Sequence, residues 1–112
     1  NWFRRDAEGR FMWPGFGDNM RVLEWIVARV RGRAPARGTE LGWVPRYDDI
    51  DWTSCAVTRS AFEELIAVDN EAWHRELAQH ADWFENLGSR VPQQLKIKRD
   101  LVVARLSHAP AA

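Results

Sequence analysis

Nineteen residues at the amino end constrain this 112-residue chain more than any other stretch. Five of its twelve Trp and Phe residues fall there: Trp2, Phe3, Phe11, Trp13 and Phe16. Gly15 and Gly17 flank the last of them, and Asn19 closes the run where a helix is expected to begin. Large aromatic side chains concentrate in cores, interfaces and ligand sites, because so much apolar area needs a partner surface. Either these rings plug a small core or they face a bound molecule.

The periodicity around them predicts a mostly helical α+β fold with a small β-hairpin. Residues 2–5 and 10–12 read as two short strands. Asp6-Ala7-Glu8-Gly9 between them has turn chemistry, with Gly9 able to take positive φ. Pro14-Gly15-Phe16-Gly17 forbids regular structure and reads as a loop. Asp18 or Asn19 is a suitable N-cap for a helix over 20–31. In that helix Val22, Leu23, Ile26, Val27 and Val30 mark one buried stripe, and Gly32 is placed as the C′ residue. One short strand is expected over 39–44 and irregular chain over 46–58. Ser60 and Glu63 have capping-box spacing for a short helix reaching about Val68. Asp69 can cap a longer one ending at Gly88, with Trp73, Leu77, Ala81, Phe84 and Leu87 along one side. Pro92 suits the first position of a last helix whose apolar side carries Leu95, Leu101, Val102 and Leu106.

Length fits one domain with a modest core. Basic and acidic residues balance at 16 each, so no global field favours nucleic acid or an anionic membrane. A single cysteine, Cys55, leaves no internal disulfide and fits a reducing, cytoplasmic compartment. No apolar run is long enough to span a bilayer as a helix. The entry on Asn1-Trp2-Phe3, with no polar lead, reads as a cut through a longer polypeptide. Residues 108–112 read as a frayed end.

Two features favour a ligand over a core plug. Phe16, between two glycines, is poorly placed to anchor a core and well placed to present a ring. Asn19 can either cap the helix or face the edge of a heterocycle. Stacking on an aromatic contributes about 1–3 kcal/mol per base and barely distinguishes bases. Discrimination therefore falls to edge hydrogen bonds. Guanine offers the acceptor O6 beside the donor N1–H, and a carboxamide matches that pair. An amide can also rotate to match adenine, so nearby backbone groups would have to fix its orientation.

Asn1-Trp2-Phe3-Arg4-Arg5-Asp6, Glu8-Gly9-Arg10-Phe11 and Trp13-Pro14-Gly15-Phe16-Gly17-Asp18-Asn19, then Arg21-Val22-Leu23-Glu24-Trp25, closely resemble the C-terminal region of GTP-dependent phosphoenolpyruvate carboxykinase. A looser likeness continues through Gly42-Trp43-Val44-Pro45 and the final helices. The resemblance implies that residues 1–112 are a single C-terminal segment of the nucleotide-binding domain of an α/β parent enzyme. Residues 1–19 would be a guanine-binding hairpin and loop, and residues 20–112 a helical scaffold. It further implies that Phe3, Phe11 and Phe16 enclose guanine and that Asn19 bonds its edge. Trp2 and the backbone of Gly15, Phe16, Gly17 and Asp18 would complete the wall. Asp18 stands where relatives often carry Glu. The implied reaction converts oxaloacetate and GTP to phosphoenolpyruvate, CO2 and GDP, a gluconeogenic decarboxylation with Mn2+ and Mg2+.

The chemistry of phosphoryl transfer is not written in these residues. No glycine-rich run with Lys and Ser or Thr occurs, and no lysine precedes Lys96. By the resemblance, metal ligands, phosphate loop and mobile lid lie upstream of Asn1, so the segment alone is expected to be inactive. His74 and His80 are too far round a helix to share a metal. Cys55 does not match the family's reactive cysteine. Arg29, Arg31, Arg33 and Arg37 read as a solvated cluster at a helix end. The rival reading is a non-catalytic module that binds a protein or self-associates through exposed aromatics. A DNA-binding helical domain is disfavoured by the zero net charge.

Overall fold

Helices form where apolar spacing and capping chemistry coincide. The computed structural model describes residues 1–108. Four α-helices follow one another: α1 (Asn19–Val30), α2 (Arg59–Ile66), α3 (Asn70–Leu87) and α4 (Gln93–His108). Between α1 and α2 lie two short strands, β1 (Arg37–Gly38) and β2 (Trp43–Val44), paired antiparallel with Arg37 opposite Val44. The mostly helical α+β class therefore holds, and the regular hairpin is this one. The chain divides into two compact units. One comprises Asn1–Gly38 and Trp43–Ala67, and the other Thr39–Gly42 with the chain from Val68 onward.

In the first unit the expected strands over 2–5 and 10–12 shrink to one bridge, Arg5 to Phe11. Side-chain hydrogen bonds win over the ladder there. The Asp6 carboxylate accepts from the Glu8 and Arg10 amides and from Arg10 Nε, which tightens the turn. Asn1 Oδ1 accepts from the Phe3 amide and bends the entering chain. Gly9 takes φ 81°, as the turn demands.

Helix α1 ends in a Schellman arrangement. The Gly32 amide reaches Arg29 O and the Arg33 amide reaches Ala28 O, with Gly32 at φ 68°. Its buried residue is Trp25, whose indole N–H donates to Pro35 O at 3.1 Å. The predicted stripe is not buried. Leu23, Ile26, Val27 and Val30 are exposed, and so is Met20. Apolar spacing revealed a helix face correctly, but the first unit packs on the face that carries Trp25.

The single strand expected over 39–44 is a hairpin instead. The Thr39 amide and hydroxyl both donate to Gly42 O, which reverses the chain. Tyr47–Asp49 makes one 3-10 turn in the otherwise irregular stretch before α2. Thr58, not Ser60, caps α2: its hydroxyl accepts from the Ala61 amide. The helix consequently starts at Arg59 and ends at Ile66, short of Val68. The core of this unit is Trp13, Trp25, Ile50, Phe62 and Leu65, with Pro45 also buried.

In the second unit Asp69 caps α3 through a bond from the Ala72 amide, and Gly88 closes that helix at φ 59°. Pro92 precedes α4 rather than opening it, and its carbonyl accepts from the Leu95 amide. Helix α4 packs on α3, and the Arg99 guanidinium donates twice to Leu77 O. Leu77, Val91 and Leu106 are buried there. Leu95 and Leu101 are about half exposed, so the apolar side expected on α4 is only partly covered. His108 still belongs to α4, and residues 109–112 of the expected frayed end lie outside the described residues. No described helix is long and apolar enough to cross a membrane.

Candidate purine site

A chain of aromatic contacts carries the amino-terminal loop. Trp13, 5% exposed, meets Trp2 edge-on at 5.2 Å and Trp52 at 6.2 Å between ring centroids. Trp52 stacks on Tyr47 at 5.2 Å and meets Phe62 edge-on at 5.4 Å. Such pairs contribute about 0.5–1.5 kcal/mol each beyond area burial. Their polar ends are satisfied. Trp52 Nε1 donates to Tyr47 O, and the Tyr47 hydroxyl to Val57 O. On the other side of the turn, the Arg4 guanidinium donates to Leu65 O at 3.1 Å and Ala67 O at 2.8 Å. It thereby satisfies carbonyls at the end of α2 that the helix cannot. Trp13 and Arg4 together clamp the loop to the α2 side of the unit.

On this mount the remaining rings stand outward. Phe3 is 72% exposed, Phe11 53% and Phe16 91%. Phe3 and Phe11 meet edge-on at 6.3 Å. The Arg5 guanidinium lies 4.0 Å from the centre of the Phe11 ring, within cation–π range. Gly15 takes φ 136°, a backbone state that L side chains rarely adopt, so glycine is needed to swing Phe16 outward. Trp2, Phe3, Phe11, Trp13, Pro14, Gly15, Phe16 and Asn19 line one hollow of about 410 Å³. That falls within the roughly 300–1,000 Å³ usual for small-molecule sites. Gly17 and Asp18 are not among its lining residues. The Asp18 carboxylate turns to Arg21 Nε at 2.8 Å instead of capping α1.

Asn19 is the first residue of α1 and sits at the rim of the hollow. Its Oδ1 accepts from Trp13 Nε1 at 2.8 Å, and the same N–H lies 3.0 Å from Gly15 O. An indole nitrogen only donates, so the carboxamide atom facing it must be the oxygen. Among the described residues, Nδ2 donates to no protein acceptor. The Asn19 amide thus offers a donor beside one remaining lone pair. The group that holds it is a buried side chain rather than the backbone anticipated from sequence. Trp13 was legible as a ring flanking the site, but its role as donor to Asn19 was not. Nor was Arg4 as the loop's anchor, because both depend on partners brought near only by folding.

None of the other candidate residues is among the residues that line this hollow. His80 pairs with Glu76 at 3.3 Å on α3. Among the described residues no group of three His, Cys, Asp or Glu side chains is placed to hold a metal. Arg37 pairs with Glu63, and Arg29 lies over Trp43. The Asp48–Arg59 pair sits on α2's approach, with the guanidinium over Tyr47.

The sequence model of the family described as phosphoenolpyruvate carboxykinase C-terminal P-loop domain matches residues 1–105. Several relatives named phosphoenolpyruvate carboxykinase [GTP] align along nearly the whole chain. The one from Anaeromyxobacter dehalogenans strain 2CP-C is 44% identical over 109 residues, which is 97% of this chain and 18% of the relative. That from Arthrobacter sp. strain FB24 is 41% identical over 96% of this chain and 18% of the relative. That from Treponema pallidum strain Nichols is 39% identical over 100% of this chain and again 18% of the relative. The chain spans under a fifth of the length of the curated relatives it matches. Aligned over this length and at this identity, the chain belongs to the GTP-dependent phosphoenolpyruvate carboxykinase family, as part of its C-terminal domain.

Proposed function

We propose that this segment holds the guanine base of GTP and GDP within a longer GTP-dependent phosphoenolpyruvate carboxykinase. Phe3, Phe11 and Phe16 supply flat faces, Trp2 and Gly15 close the wall, and Asn19 reads the base edge. The observation that carries the reading is a division of labour among the aromatics. Phe62, Trp13 and Trp25 are buried, whereas the three phenyl rings are exposed and share a hollow with a carboxamide. Rings that this unit used as its own core would be covered, as Phe62 is. The Asn19 donor pairs with guanine O6 and its free lone pair with N1–H, which adenine cannot match in the same orientation.

The reaction of the whole enzyme, oxaloacetate and GTP to phosphoenolpyruvate, CO2 and GDP, needs groups this segment does not contribute. Its described residues offer no cluster fitted to Mn2+ or Mg2+, and no metal-dependent step is assigned to them. The work of this segment is to grip the base so that the phosphates are delivered to residues elsewhere in the chain. Cytoplasmic location and a part in gluconeogenesis belong to the same proposal. So does the main partner, the rest of the parent chain. The uncovered stripe of α1, with Met20, Leu23 and Val27 lining a groove of about 420 Å³, is the face that chain would cover.

The test is Asn19→Ala in the full-length enzyme. The Michaelis constant for GTP should rise and the preference over ATP should fall. Unchanged base preference would remove Asn19 from recognition. The same α1 stripe favours a second reading, an association module. Titrating the 112-residue chain with GDP and ADP while following Trp2 and Trp13 fluorescence separates the two. A selective GDP response supports base recognition. Concentration-dependent dimerisation without any nucleotide response supports the module.

A further inference from the structure

We infer that Trp13 is a positioning residue that decides which purine Asn19 accepts. The inference rests on the guanine reading above and deepens it. A carboxamide is nearly symmetric in shape, and its two ends differ only in donating or accepting. Left free, it turns over and pairs with either guanine or adenine. Here it is not free. Trp13 is 5% exposed and wedged between Trp2 and Trp52, so its N–H points in a fixed direction. That N–H meets Asn19 Oδ1 at 2.8 Å. Turning the amide over would set Nδ2–H against Nε1–H, two donors face to face: the indole would keep only Gly15 O, and Nδ2–H would gain no partner there. The indole therefore holds Nδ2 as the outward donor and one Oδ1 lone pair as the adjacent acceptor.

Guanine presents an acceptor and then a donor along O6 and N1, and this order fits. Adenine presents a donor and then an acceptor along N6 and N1, and it meets the held amide with like against like. The contrast is between the two bases bound in the same pose. The second acceptor of the indole, Gly15 O at 3.0 Å, ties the same bond to the loop that carries Phe16. One N–H thus couples the residue that reads the edge to the backbone that aims a stacking ring.

The experiment uses the full-length enzyme with Trp13 replaced by benzothienylalanine, which keeps the bicyclic shape and puts sulfur in place of the N–H. Affinities for GDP and ADP are measured for the unaltered protein, for this isostere, for Asn19→Ala, and for the two changes combined. The isostere should lower the GDP-over-ADP ratio at least about fivefold, the low end of what a bidentate amide–base pair discriminates. Because Trp13 acts through Asn19, the isostere should leave the ratio within about twofold once Asn19 is alanine. A merely structural Trp13 would instead weaken both nucleotides together in both backgrounds. A ratio within twofold of the unaltered protein's would overturn the inference while leaving the guanine reading intact. No GDP preference in the unaltered protein would overturn that reading, and this inference with it. Should the isostere fail to fold, the Trp13 indole proton is followed by NMR in the unaltered protein and in Asn19→Ala. Faster exchange of that proton in Asn19→Ala supports the contact, and identical exchange sinks it.

Discussion

Under the guanine proposal, Phe16 is a ring kept for a ligand and Phe62 a ring kept for the core. A fully buried Phe contributes about 1.5–3 kcal/mol relative to exposure. With 91% of Phe16 exposed, only about a tenth of that is engaged, so Phe16→Ala should change folding stability by roughly 0.3 kcal/mol or less. Phe62, at 2% exposure, is the contrast: Phe62→Ala should cost about 3–5 kcal/mol. Binding should show the reverse order of effects. Losing one stacking face costs about 1–3 kcal/mol, or roughly 5- to 150-fold in GDP affinity. Phe16→Tyr keeps a flat ring and should stay within about twofold of the unaltered protein. Urea denaturation of the 112-residue chain measures the first quantity, and GDP titration of the full-length enzyme the second. A stability loss above about 1 kcal/mol for Phe16→Ala would show the ring to be structural. An unchanged GDP affinity would show that it stacks on nothing.

Thr58→Ala should destabilise the chain by about 1 kcal/mol in urea, while Ser60→Ala, lacking the capping bond, should stay within about 0.5 kcal/mol. The Asp6 carboxyl is held below its ordinary value of 3.8, first by the Arg10 backbone N–H and then by the Arg10 side chain, with burial opposing. A depressed folded-state value means that Asp6 stabilises fully above the unfolded-state value and loses its contribution as pH falls through the folded one. The urea-midpoint gap between the unaltered chain and Asp6→Asn should therefore be constant near neutrality and close below about pH 4. The isolated chain should associate with rising concentration through the α1 stripe, and Leu23→Glu with Val27→Glu should restore the monomer in sedimentation. Association undiminished in that double variant would place the contact elsewhere.

Local chemistry made much of the fold legible. The Asp69 cap, the Gly32 and Gly88 stops, and the turn at Gly9 each depend on residues close in sequence, and all appear where their chemistry puts them. Errors arose where two local solutions competed. Thr58 and Ser60 both offer a hydroxyl near the start of α2, and spacing to Glu63 pointed to the wrong one. Around Asp6 a single carboxylate collecting three donors outbid a two-strand ladder. The stripe of α1 failed for another reason. Apolar periodicity reports that a face avoids water, not which partner covers it. In a chain spanning 18% of its relatives' length, the partner of a helix face need not lie within the chain.

The same distinction governs the candidate site. Ring, glycine and amide could be read in order along residues 1–19, because each announces its preference through its own chemistry. The constraint on the amide could not. Trp13 and Asn19 are six apart, and nothing in that spacing requires an indole N–H to meet a carboxamide. It follows from the burial of Trp13 between Trp2 and Trp52, and Trp52 in turn is held by Tyr47 and Phe62, 28 and 43 residues downstream of Asn19. A buried donor must find an acceptor, since leaving it unmet costs about 1–3 kcal/mol. The acceptors in reach are Gly15 O and Asn19 Oδ1. Under the guanine proposal, edge recognition follows from packing behind the hollow: Trp2 and Trp52 aim the indole, the indole aims the amide, and the amide is left with one order of donor and acceptor to offer.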